Sequence, residues 1–190
     1  MGENEVLITS IENVRSMVHN SILMLREADM ILSEERFEPI YGNTIGSEPS
    51  KSIQQNKNTF SNFFPQYMSR AYIHHDKFKQ KKETRVLIIN IQFYHARVKL
   101  LTPCVLGGVL DFGDIITDDQ KKDIQHWWLK CMAFENKNLN FKADGNVYKR
   151  ENFKEKVKLT TFWGIELIKI TDVEMLREEV INKLLEEYEK

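Results

Sequence analysis

The sequence predicts an α+β domain: an antiparallel sheet of about four strands, with long amphipathic helices at the N- and C-termini packed on one face. Three observations carry this prediction. Apolar residues recur at the helical period at both ends of the chain. Between the ends, runs rich in β-branched and aromatic residues follow one another across short turns. The 190 residues are 42% hydrophobic and include eleven Phe, six Tyr and three Trp, which suits a packed core and not a disordered chain. No stretch reads as a free linker, so residues 1–190 are expected to form a single domain.

The N-terminal helix is expected over residues 1–36. Its apolar positions are Leu7, Ile11, Val14, Val18, Ile22, Leu25, Ala28 and Leu32, steps of three and four that fit no strand. Residues 40–59 hold two glycines, a proline and several Ser and Asn, and read as a loop. Phe60, Phe63 and Phe64 then offer an apolar anchor before Pro65. A β meander is expected over 66–116. It comprises a strand near Gln66–His75, a turn over Asp76–Thr84, a strand over Arg85–Val98 and another from Cys104 to Phe112. The last two are close enough to pair as a hairpin, and Gly107-Gly108 suggests a bulge. Thr117, followed by Asp118 and Asp119, opens a helix expected over 117–133. The following segment is polar and irregular. Leu159–Ile170 reads as a strand, and Thr171 or Asp172 caps a last helix over 172–188 with Val180, Leu184 and Tyr188 on its apolar face.

The chain carries 27 basic and 28 acidic residues, so its net charge drives it towards neither nucleic acid nor an acidic membrane. The charge is nonetheless segregated. Residues 1–38 hold eight acidic residues against three basic, and 172–190 hold seven against three. Residues 77–170 hold eighteen basic against eleven acidic, which makes the sheet region a candidate surface for an acidic partner. No leader-like or membrane-spanning apolar segment is visible, and the motif for myristoylation fails at Val6. The two cysteines, Cys104 and Cys131, sit in apolar surroundings and read as reduced thiols. These features predict a soluble, cytoplasmic protein with no membrane contact.

No strong catalytic motif is present. There is no phosphate loop and no nucleophile elbow, and Cys131 has no neighbouring base. The candidate catalytic residues are His74, His75, His95, Asp111 and Glu166, which could converge from separate strands as a metal-dependent nuclease or other hydrolase. Glu166 and Lys169 are three apart and face opposite sides of a strand, so shared coordination there needs a bulge. Arg70 and His75 have a spacing seen in helical ribonucleases of the HEPN class, but the surroundings read as strands. No metal site and no cofactor are predicted.

Three surfaces remain. Tyr41, Asn43, Ser47, Ser50 and Lys51 lie in a long Gly/Ser loop whose amides could hold a nucleotide-like anion. Lys77, Phe78, Lys79, Lys81, Lys82 and Arg85 form a basic turn suited to nucleic acid or an acidic partner. Trp127, Trp128, Leu184 and Tyr188 could meet a protein partner or a second copy. The expected function is a non-catalytic binding or assembly module, a small subunit of a protein complex. It would use aromatic and aliphatic helix faces with the basic tip as an aid to steering. The alternatives are the hydrolase above and a small-ligand sensor built on the loop.

Overall fold

The computed structural model describes residues 2–47, 66–94, 101–131, 141–153 and 157–190. Helix α1 spans Glu3–Glu34, followed by β1 (Phe37–Pro39), β2 (Gly46–Ser47), β3 (Tyr67–His74), α2 (His75–Lys79), β4 (Arg85–Gln92) and β5 (Cys104–Asp111). Then come α3 (Asp118–Cys131), β6 (Tyr148–Phe153) and β7 (Val157–Glu166), and the chain closes with α4 (Val173–Leu176), a π-helical turn (Arg177–Ile181) and α5 (Asn182–Glu189).

The architecture is α+β, and every pairing in its sheet is antiparallel. The expectation of about four strands is too low. Among the described residues, six strands lie in the order β1-β3-β4-β5-β7-β6, and the two-residue β2 adds a seventh beside β3. The four expected strands are the contiguous centre, β3-β4-β5-β7. The others are edge pieces without an apolar pattern: β1 contains Pro39, and β6 reads YKRENF. The expected turn after β3 begins as the short helix α2. The last expected strand ends at Glu166, because Leu167–Lys169 form a 3₁₀ turn.

β4 and β5 are buried at nearly every position, which means both faces of the sheet are covered. On one face, Leu25, Ala28 and Leu32 of α1 meet Val180, Ile181 and Leu184 of the C-terminal helix over Leu87, Ile89, Val105, Val109 and Trp163. Both terminal helices therefore share a face, as predicted. The opposite face carries a second cluster, in which Ile116, Ile124 and Ala143 cover Val86, Ile88, Leu106 and Phe162.

Gly107-Gly108 makes no bulge. The β4–β5 register runs unbroken from Arg85↔Asp111 to Gln92↔Cys104. The glycine is needed for another reason: a Cβ on Gly107 would stand 2.6 Å from Cζ2 of the fully buried Trp163. The Trp163 indole N–H must also find an acceptor, and it donates to the Glu179 carbonyl at 3.3 Å, within the π-helical turn. A π turn breaks the regular i→i−4 bonding, leaving a carbonyl for such a donor. Helix starts follow their caps. Thr117 and Gln120 exchange side-chain to backbone bonds at 2.8 and 3.2 Å, and the Asp172 carboxylate accepts from the Met175 amide at 2.9 Å.

Candidate interaction surface

Helix α1 has 32 residues and is roughly 48 Å long, more than the sheet face it crosses can cover. Burial begins at Ser21, and the buried positions are Ser21, Leu25, Ala28, Ile31 and Leu32. The buried stripe thus passes through Ser21, whereas the sequence pattern favoured Ile22. Ser21 satisfies its hydroxyl by donating to the Met17 carbonyl at 2.8 Å. With Ser21 included, the stripe is Leu7, Ile11, Val14, Val18, Ser21, Leu25, Ala28, Leu32, an unbroken alternation of four and three. Its second half is core. In its first half every position from Gly2 to Asn13 is exposed. Leu7 is 60% exposed, Ile8 61%, Ile11 51% and Val6 46%. Four large apolar side chains thus fall within two turns of one helix, mostly uncovered by any described residue.

A second concentration of functional side chains lies at one end of the sheet, under the end of α5. Residues from three of the predicted groups meet there: His74 and Asp111, Lys77 and Arg85, and Tyr188. The centre is Glu83, which is 2% exposed and which no spacing in the sequence singles out. Its carboxylate accepts from the Tyr188 hydroxyl at 2.7 Å and from the amides of His74, Thr84 and Arg85 at 3.2, 3.0 and 3.0 Å. Arg85 donates to Asp111 at 3.1 Å and to the Tyr188 carbonyl. The Tyr188 ring packs on Phe37 at 4.9 Å and lies parallel to His74 at 6.3 Å, with the Lys77 ammonium 4.3 Å above it. Burial first, then the Glu83 hydrogen bond and charge, push the Tyr188 hydroxyl well above the usual tyrosine range. This arrangement locks the C-terminal helix onto the sheet. Tyr188 and Leu184, predicted as interface residues, are core residues instead, at 3% and 0% exposure.

The remaining predicted residues disperse. His75 Nδ1 meets Glu38 at 2.6 Å, and Glu38 also pairs with Lys121 at 3.6 Å. Phe78 is half-buried with the Lys121 ammonium 4.6 Å over its ring, so it is not free to stack on a base. Lys79, Lys81 and Lys82 are exposed. Asp111 pairs with Leu159 and Glu166 with Cys104 on the same β5–β7 ladder. The two acids are therefore seven residues apart along it, about 23 Å, too far to share an ion. Among the described residues, no three His, Cys, Asp or Glu side chains gather as metal ligands. His95, Ser50 and Lys51 lie outside the described residues, as do the side chains of Ser47, Trp127 and Trp128.

The described part of the predicted loop is held in place. The Tyr41 hydroxyl faces the carbonyls of Lys121 and Lys122. Arg70, whose side chain is 4% exposed, makes a bidentate pair with Asp29 at 2.7 and 2.8 Å and donates to the carbonyls of Gly42 and Thr44. Tyr72 adds a 2.9 Å bond to Asp29, and burial together with that carboxylate raises its hydroxyl well above the ordinary value. Asn43 and Ile45 form one wall of an open groove of about 520 Å³, and Ile22, Leu23, Arg26 and Met30 of α1 form the other. None of the described helices is long and apolar enough to cross a membrane. Comparison with protein-family models, with curated proteins and with solved structures found no significant match.

Proposed function

We propose that this chain is a non-catalytic binding and assembly module, and that α1 presents its binding surface. The observation that carries the reading is the exposed start of α1, with Leu7 and Ile11 more than half accessible on a stripe whose second half is core, and Ile8 equally exposed beside them. Burying such side chains against a partner is favourable by roughly 1.5–3 kcal/mol each. The sheet end supports the reading from the other side. Its titratable residues are engaged in holding the C-terminal helix, and Asp111 and Glu166 stand apart. Lys79, Lys81 and Lys82 form an exposed basic tip that adds long-range attraction for an acidic partner.

The test compares the wild-type chain with Ile11→Asp by light scattering after size exclusion and by affinity capture. Self-association, or a captured protein, that is present for the wild type and lost for Ile11→Asp is the expected result. A monomer that captures nothing beyond what Ile11→Asp captures overturns the reading.

A further inference from the structure

We draw no further inference here: the strongest candidate, the exposed apolar start of α1 together with the open groove farther along that helix that Ile22, Leu23, Arg26, Glu27, Asp29 and Met30 line, carries nothing beyond the proposal above, because the groove mixes both signs of charge and nothing in the structure shows what covers either surface.

Discussion

Burial decides which side chains of this chain can react. Cys104 opens β5 with no accessible surface, and desolvation pushes its thiol up to about 12. Since the thiolate is the nucleophile, almost none of it exists at neutral pH. In a Cys131→Ser chain, a maleimide or an aromatic disulfide reagent should leave Cys104 unmodified for hours in buffer and label it within minutes in denaturant. Rapid labelling of the native chain would contradict the packing described for β5. The same β-strand contains a close approach of backbone to a core side chain. Gly107 lies under the Trp163 ring, and a methyl group there would stand 2.6 Å from a ring carbon. Trp163 cannot retreat, because its indole N–H is tied to Glu179 and its face closes the cluster shared by both terminal helices. Gly107→Ala should therefore destabilise the fold by about 1–3 kcal/mol, the range for overpacking a filled core, measured by urea unfolding. A neutral result would mean that the sheet flexes there at no cost.

At the scale of elements, α2 shows how a residue unsuited to its backbone is tolerated. The helix ends in a paired closure: the Lys82 amide donates to the Lys77 carbonyl at 2.8 Å, and the Lys81 amide to the Phe78 carbonyl at 2.9 Å. That closure places Lys81 at φ +55°, a left-handed conformation that disfavours every residue with a Cβ. Lys81→Gly should relieve it and raise stability by about 0.5–1 kcal/mol, the remainder after glycine's own loss of chain entropy. A destabilised Lys81→Gly would show that the lysine side chain contributes packing. The motif also explains why α2 was illegible in the sequence. A five-residue helix closed by lysine has neither a period to detect nor a glycine to mark its end. The long elements were legible for the opposite reason. The steps of three and four in α1 and the apolar runs in β4, β5 and β7 are each set by how a regular backbone presents side chains to a core. β1 and β6 lie at the sheet edges, pair on one side only and carry Pro39 or Lys149, Arg150 and Glu151, so no alternation reveals them. The sheet-end cluster was half legible. His74, Lys77, Arg85, Asp111 and Tyr188 were all singled out. Their convergence on Glu83 depends on β3, β4 and β5 being neighbours and on where α5 ends, and neither can be read from spacing.

For the whole molecule, the stripe on α1 divides into two halves that answer to different measurements. Leu25 is fully buried in the core shared with the C-terminal helix, so Leu25→Ala leaves a cavity there and should cost about 2–5 kcal/mol whatever the protein concentration. Ile11 touches no such core. Its replacement by Asp removes nothing that the folded monomer uses, and the stability of a dilute solution should not change. Association couples to folding only through mass action: a partner that binds the folded chain raises its apparent stability by an amount that grows with concentration. Where that partner is a second copy, the wild-type thermal midpoint rises across a hundredfold increase in protein concentration, while that of Ile11→Asp stays flat. The two should meet at the dilute limit, and the Leu25→Ala midpoint should lie below both at every concentration. If instead Ile11→Asp lowers the dilute midpoint as Leu25→Ala does, Ile11 is buried within one chain. A concentration-dependent wild type with a flat, equally stable variant has one physical explanation: the two halves of one helix face serve two partners, the chain's own sheet and a surface on another molecule.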